Sequence, residues 1–338
     1  MSGGRLNLAV VGATGMVGKE FIKILQERHF PVEELRLFAS QRSAGETILF
    51  GGKNLIVSDL SPGCFKGVDV AFFSAGNPIS KEWGPRAVEE GTFVIDNSSA
   101  FRMDPAISLV VPEVNANRIP PREKPAIIAN PNCSTIQLVV ALKPLHDAFV
   151  LKDVTVSTYQ AVSGAGKEAV DELKLQAPQH LRGEKETPSV FPHPIAFNNI
   201  PHIDKFGDNG FTYEEMKVIN ETRKILELPN LPVSCTAVRT PTLNSHSEAV
   251  WVDFEKTASK EKIFEILKKA PGVILTDDPS NNVYPLNREA TGRDEVFVGR
   301  IRKDPHYPNR WLLWVVSDNI RKGAALNGIQ IAEKLFDL

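Results

Sequence analysis

Hydrophobic positions follow two different rhythms along the chain. Residues 6–11 form an apolar run broken only by Asn7, and it ends in Gly12-Ala13-Thr14-Gly15-Met16-Val17-Gly18. Phe21, Ile22, Ile24 and Leu25 then recur at helical spacing before a second apolar run at 35–39, a pattern that predicts a β-α-β unit. Further strands are predicted at 68–74, 92–96, 109–111 and 126–129, with a helix at 85–90. Short apolar strands alternating with helices predict a parallel, doubly wound sheet.

Beyond Asn130 the rhythm changes. A helix at 134–146 leads into longer strands rich in Thr and Val at 154–159, 234–239, 248–254, 295–300 and 311–317, which read as an antiparallel sheet. A helix at 213–228 begins with Thr212 and Glu215 in capping-box spacing, and one at 259–270 is amphipathic. Residues 176–208, rich in Pro, His and Asn, read as a long surface excursion too polar for a core element. A last helix is predicted at 322–336, where Ala324 and Ala325 permit close packing.

Composition narrows the class. A length of 338 residues suggests two domains, and 42% hydrophobic with 24% charged residues is ordinary for a globular protein. Thirty-nine Lys and Arg against 41 Asp and Glu leave a formal charge of −2, so no global field gathers nucleic acid or anionic membrane, and any anion site must be local. No apolar run approaches the roughly 18 residues of a membrane helix. The N-terminus shows no cleavage-site pattern. The expectation is a cytoplasmic protein with no nucleic-acid or membrane partner. Cys64, Cys133 and Cys235 are odd in number and not closely paired, which fits neither a disulfide framework nor a zinc site; no metal is expected.

Gly12-x-x-Gly15-x-x-Gly18 between a strand and a helix can hold a dinucleotide, because missing side chains let backbone N–H groups approach a pyrophosphate. Its spacing departs from G-x-G-x-x-G, and a merely tight βα turn is the alternative. The second strand ends in Ala39-Ser40-Gln41-Arg42-Ser43, without the acidic residue that binds an NAD ribose, and Arg42 with Ser43 suits a 2′-phosphate. Cys133, in Asn130-Pro131-Asn132-Cys133-Ser134-Thr135, stands at a predicted helix N-terminus, which favours thiolate. A nucleophilic cysteine needs an acid or base partner. Among seven histidines His246 is the best placed, in the polar loop Asn244-Ser245-His246-Ser247. Arg102, Lys217 and Arg239 stand near turns where an anion could sit. Arg239 has the planar fork for a carboxylate or phosphate, although taken singly each reads as surface charge.

In combination these segments are specific. The glycine loop, Asn130–Thr135, Ser157-Thr158-Tyr159-Gln160-Ala161-Val162-Ser163-Gly164-Ala165-Gly166, Tyr213-Glu214-Glu215-Met216-Lys217, Arg239 with Ser245-His246-Ser247-Glu248, and Val316-Ser317-Asp318-Asn319 occur in that order. The whole chain closely resembles the bacterial type of the aspartate-semialdehyde dehydrogenase family. The resemblance implies an α/β fold: a Rossmann-type NADP-binding domain, 1–132 and 318–338, plus an α+β catalytic and dimerisation domain of the glyceraldehyde-3-phosphate dehydrogenase type, 133–317. It implies NADPH-dependent reduction of L-aspartyl 4-phosphate to L-aspartate 4-semialdehyde through a cysteine thioester, in lysine, threonine and methionine synthesis, by a homodimer. Cys133 is then the nucleophile and His246 the acid/base catalyst. Gln160, Arg239 and Glu214 bind substrate, and Arg102, Lys217 and Asn132 bind inorganic phosphate. Gly12, Thr14, Gly15, Met16, Val17, Arg42, Ser43, Ser163, Gly164 and Asn319 contact cofactor. Related acyl-phosphate or acyl-CoA reductases, acting on N-acetyl-glutamyl phosphate or malonyl-CoA, are the enzyme alternatives. A noncatalytic NADP-binding redox sensor is the alternative of another class.

Overall fold

The computed structural model describes residues 4–338. They divide into two compact units, one of 4–132 with 324–338 and one of 133–323.

The first unit carries β1 (Leu6–Val11), α1 (Met16–Glu27), β2 (Val32–Phe38), β3 (Thr47–Phe50), β4 (Lys53–Ser58), β5 (Val70–Phe73), α2 (Asn77–Glu89), β6 (Phe93–Asp96), β7 (Ser108–Leu109), α3 (Pro112–Asn115) and β8 (Ile127–Ala129). Its strands form one sheet in the order β3-β4-β2-β1-β5-β6-β8-β7, parallel except for the β3–β4 hairpin. The continuous apolar runs are explained by burial on both faces. Leu8 and Val10, like Val70 and Phe72, enter one core cluster, whereas Ala9 and Val11, like Ala71 and Phe73, enter the other. The β3–β4 hairpin escapes the sequence pattern because its apolar runs, Ile48-Leu49-Phe50 and Leu55-Ile56-Val57, are only three residues long and its residues are largely exposed. The helix before β6 starts at Asn77 rather than 85 and carries Pro85 inside it.

The second unit runs through α4 (Cys133–Phe149), β9 (Leu151–Gln160), α5 (Lys167–Leu181), α6 (Tyr213–Leu226), β10 (Val233–Arg239), β11 (His246–Phe254), α7 (Lys260–Lys269), β12 (Val273–Leu275), α8 (Asn287–Ala290), β13 (Val296–Lys303) and β14 (Arg310–Ser317). The sheet order is β10-β9-β11-β14-β13-β12. It is mixed rather than antiparallel, because β9 pairs β10 in parallel and β12 pairs β13 in parallel. The parallel β9–β10 pair requires a long crossover, supplied by α5, the excursion and α6. Along β9, β11 and β14 alternate residues are buried. Helices α4 and α6 pack over the inner face.

The stretch 176–208 is not simply a surface excursion. Residues up to 181 complete α5, and Ile195, Ala196 and Ile200 are buried with Val162, Ala169 and Leu173. Two buried α5 side chains pin it: Glu172 accepts from the Ser189 hydroxyl at 2.7 Å, and Gln176 accepts from the Ile195 N–H at 2.8 Å.

The chain returns to the first unit at Ala324 rather than 318. Asp318 accepts from the N–H groups of Ile320, Arg321 and Gly292, and Arg321 pairs with Asp294, which ties 318–323 to the second unit. The final helix, α9 (Leu326–Phe336), continues from a π-helical turn at Arg321–Ala325. It packs against α1 so closely that a Cβ on Gly328 would lie 2.9 Å from the Phe21 ring.

Candidate active site

In the first unit the Gly12–Gly18 loop is a built cradle. Gly12 has φ +87°, and a Cβ there would lie 2.4 Å from the Ser74 carbonyl oxygen; one on Gly18 would lie 2.1 Å from that of Gly12. Only glycine therefore lets β1 turn so tightly into α1. Beside it opens a cavity of about 390 Å³, lined by Gly12, Thr14, Gly15, Ser40, Gln41 and Asp59 among others. Thr14 donates to the Ser43 hydroxyl at 3.4 Å, while Arg42 is exposed. Met16 and Val17 open α1 and do not line the cavity. Asp59, at the end of β4, does line it, and sequence reading missed it because the β3–β4 hairpin was missed. A backbone cradle with hydroxyls and an apolar floor fits a nicotinamide dinucleotide.

Arg102 and Asn132 are buried in this unit; the guanidinium of Arg102 donates to the Asn97 carbonyl at 2.9 Å. A polar turn following a strand gave the sequence signal for Arg102, whereas Asn132 was reached only through the resemblance.

In the second unit, sheet register assembles the other candidates. Arg239 ends β10 opposite Gln160 at the end of β9, and His246 begins β11 opposite Ser317 at the end of β14. The Ser247–Tyr159 pairing places His246 in the same row as Gln160. The inner face therefore carries a polar row, Arg239, Gln160, His246 and Ser317, across four neighbouring strands. His246 is not in a solvated loop: it is a strand residue with no exposed surface. The turn before it is tight, with Ser245 at φ +69° and its N–H donating to Asn319 Oδ1 at 2.9 Å.

His246 Nδ1 accepts the Ala161 N–H at 3.1 Å, whereas Nε2 is buried without a partner. A ring nitrogen that accepts is unprotonated, so the neutral ring carries its proton on Nε2. Burial, helped by the positive charge of Arg239, holds the imidazole well below its ordinary pKa. Arg239 donates to the Ala161 carbonyl at 2.6 Å, so one backbone unit orients both groups. Ile200 of the excursion bridges Arg239 through two backbone hydrogen bonds of 2.8 and 2.9 Å, and the Phe191 ring lies 5.8 Å from its guanidinium.

Glu214 comes from α6, whose capping box is formed: Thr212 and Glu215 bond reciprocally at 3.2 and 2.7 Å. Glu215 also accepts the Ala237 N–H at 3.0 Å, fixing the helix start to β10. The buried Glu214 carboxylate thus receives Gln160 Nε2 at 3.2 Å and Lys217 Nζ at 3.2 Å. Lys217 also meets Asp204 at 2.7 Å. Burial opposes its charged form, but Glu214 and Asp204 outweigh burial and raise its pKa.

Cys133 is the first residue of α4, where the helix dipole favours thiolate. A thiolate at Cys133 would favour the charged form of Arg239, against the burial that lowers its pKa. Gly323 comes so close that a Cβ there would sit 3.0 Å from that of Cys133, a constraint that the sequence did not flag. Gly164 is similarly placed: a Cβ there would lie 3.0 Å from Arg239 Nη1 and 3.2 Å from His246 Nε2. Ser163 and Asn319 bond each other at 3.0 Å. Cys64 and Cys235 lie outside this group, and burial pushes the Cys235 thiol far up. Among the described residues no cluster of His, Cys, Asp and Glu could hold a metal ion, and no helix is long and apolar enough to cross a membrane.

Two family descriptions match the chain: semialdehyde dehydrogenase, NAD binding domain, over 7–120, and semialdehyde dehydrogenase, dimerisation domain, over 142–322. Aspartate-semialdehyde dehydrogenase of Aquifex aeolicus is 55% identical over 97% of both chains. The chain belongs to the aspartate-semialdehyde dehydrogenase family. Aspartate-semialdehyde dehydrogenase II of Vibrio cholerae, solved in complex with ASA, is 46% identical with a TM-score of 0.95 over 98% of both chains. The Candida albicans aspartate-semialdehyde dehydrogenase solved with NADP is 27% identical, with a TM-score of 0.77 over 98% of both chains. The family assignment makes this chain an oxidoreductase with a nicotinamide-binding unit and a dimerisation-type unit.

Proposed function

We propose that the protein interconverts L-aspartyl 4-phosphate and L-aspartate 4-semialdehyde, using NADP(H) and inorganic phosphate, as a homodimer. The observation that carries the reading is the polar row: a neutral His246 with an unpartnered Nε2, Arg239 held beside it, and Gly164 leaving the space before both open.

Cys133 thiolate, favoured by the α4 N-terminus and by the charge of Arg239, attacks the acyl carbon. A thioester forms as the carbon–oxygen bond to phosphate breaks. Splitting the reduction this way replaces one hard step by two easier ones. His246 offers its Nε2–H to the oxygen of each tetrahedral adduct, so acid character is the resting state of this acid/base residue. An oxyanion donor of this kind contributes about 10²–10³ in kcat. Arg239 grips the substrate carboxylate with its planar fork, Glu214 takes the amino group, and Gln160 orients the substrate from between them. Lys217, Arg102 and Asn132 are assigned to phosphate.

Gly12, Thr14, Gly15 and the α1 start, Met16 and Val17, would hold the pyrophosphate. Arg42 and Ser43 would take the 2′-phosphate, and Ser163, Gly164 and Asn319 would contact the nicotinamide end. Bound cofactor supplies the hydride. Tyr159, Trp251, Leu312 and Trp314, only half-buried on the outer sheet face, support the dimer.

The test mixes protein, L-aspartate 4-semialdehyde, phosphate and NADP and follows NADPH absorbance. Phosphate-dependent reduction of NADP, weaker with NAD, is expected. Absent turnover from folded protein that binds NADPH would reject the reading.

A further inference from the structure

Glu248 stands two residues after His246 on β11, so both side chains leave the inner face. It has no exposed surface, and its register partners are Thr158 on β9 and Val315 on β14. The polar neighbour that reaches it is Gln137 of α4, itself 1% exposed. Neither carboxyl oxygen of Glu248, and neither the nitrogen nor the oxygen of the Gln137 amide, closes a hydrogen bond of good geometry with any other group. Four orphaned polar atoms on two adjacent buried side chains demand a joint explanation, since a buried polar group left without a partner forfeits the hydrogen bonds it made to water.

No cation answers the demand: burial and Gln137 are what act on Glu248. The titratable groups buried on the elements around it are His246 on the same strand, Cys235 and Arg239 on β10, Cys133 on α4, and Glu214, Glu215 and Glu221 on α6, with Lys322 buried in the turn beyond β14; the inward positions of β9 and β14 contribute none. Arg239 is two strands away and bonded to Ala161. A neutral carboxylic acid and a primary amide are complementary: the acid O–H donates to the amide oxygen while the amide N–H donates to the acid carbonyl. One cyclic pair satisfies all four atoms, and only the protonated acid can form it.

The position of the pair is informative. Cys133 and Gln137 are spaced i,i+4 and lie on one side of α4. Four helical residues rise about 6 Å and two strand residues about 6.7 Å. Both α4 and β11 begin at the site and run into the core, so the two elements meet at rungs of matching height. The outer rung bears the reacting groups, and the inner rung bears Gln137 and Glu248. We propose that Glu248 and Gln137 form a neutral acid–amide pair that locks α4 to β11, and that Glu248 is a positioning residue fixing Cys133 relative to His246. The large rise in Glu248 pKa, caused by burial and only partly offset by Gln137, agrees.

The role in turnover rests on the function proposed above, so the test reads activity and two quantities independent of it. Variants E248Q, E248A and the exchanged pair Q137E/E248Q are compared for kcat and KM, for the rate of Cys133 alkylation by iodoacetamide, and for Tm from pH 6 to 9. E248Q and the exchanged pair keep two hydrogen bonds and are expected within threefold of wild type in kcat. E248A is expected to lose tenfold or more in kcat, with KM little changed and the alkylation rate altered. Wild-type Tm should fall more steeply with rising pH than that of E248Q, because the unfolded chain releases a carboxyl proton that the folded chain keeps. Should E248A fail to fold, the exchanged pair and the Tm slopes still decide. Equal slopes, E248Q as damaged as E248A-type loss predicts, or a wild-type kcat in E248A would each overturn the proposal. A wild type that turns over no aspartyl substrate rejects the proposed function alone, and alkylation and Tm slopes then judge the pair.

Discussion

Gly164→Ala isolates geometry at the reacting centre from stability of the fold. The new Cβ would lie 3.0 Å from Arg239 Nη1 and 3.2 Å from both His246 Cε1 and Nε2, where ordinary contact begins at 3.4 Å. Neither neighbour yields freely: His246 is wholly buried and anchored through Nδ1 to Ala161, and Arg239 is bonded to the same residue's carbonyl at 2.6 Å. Relief therefore displaces the imidazole, the guanidinium or the Val162–Ala165 turn by about half an ångström. Because a displacement of 1 Å can cost about 10²-fold, kcat/KM should fall roughly 10-fold, about 1.4 kcal/mol of transition-state stabilisation. Gly164 is not among the residues at positive φ, so alanine suits its backbone, and the gain of up to about 1 kcal/mol through the unfolded state offsets the strain of the displaced neighbours, so the protein should stay folded with Tm little changed. The assay pairs initial rates of phosphate-dependent semialdehyde oxidation with a thermal melt. Folded Gly164→Ala protein with kcat/KM within twofold of wild type would refute the geometric argument.

Other perturbations test the remaining parts. Cys133→Ser should abolish turnover yet leave NADPH binding intact, measured by cofactor fluorescence; substantial residual activity removes Cys133 from the nucleophile role. Arg239→Lys keeps charge but loses the two-pronged grip, so KM for the semialdehyde should rise about tenfold or more, in line with the loss of one charge-assisted hydrogen bond of about 1.5–3 kcal/mol; unchanged kinetics sink that role. His246 is buried neutral with a lowered pKa, so the unfolded chain takes up a proton below the ordinary value of about 6.5 that the folded chain refuses. Stability is therefore present above that pH and is lost as pH falls below it, at up to about 1.4 kcal/mol per unit, and His246→Gln should flatten that acid limb of Tm against pH. Arg42→Ala should raise KM for NADP while sparing KM for NAD; an equal effect on both would place Arg42 outside the 2′-phosphate site.

Legibility in the sequence followed burial. The strands of the first sheet could be read because burial on two faces demands uninterrupted apolar runs, and β1 or β5 cannot be mistaken for loops. The β3–β4 hairpin offers only three-residue apolar runs on largely exposed strands, so Asp59 at its end went unseen together with the cavity wall it forms. Polarity misled in the opposite direction at Asn244–Ser247, where a polar segment reads as solvated although His246 and Ser245 are fully buried. The parallel β9–β10 pairing was hidden because both strands alternate as antiparallel ones do, and only the length of the chain between them distinguishes the two cases.

The site itself was written as an exception to alternation. Strand β9 places Thr158 and Gln160, β10 Arg239, β11 His246 and Glu248, and β14 Ser317 at inward positions that should be apolar by the pattern of Val154, Val156, Val250 and Leu313. Each exception alone reads as the polar end of a strand. Register converts them into one feature, since all fall at the same end of the same face, in two adjacent rows. The first row holds the groups that Gly164 leaves open. The second holds Glu248, which reaches no substrate and still sits where a valine would pack. A buried carboxyl at such a position, one of the costliest groups to place in an apolar layer, calls for a role that a valine could not fill, and holding the nucleophile's helix in register is one.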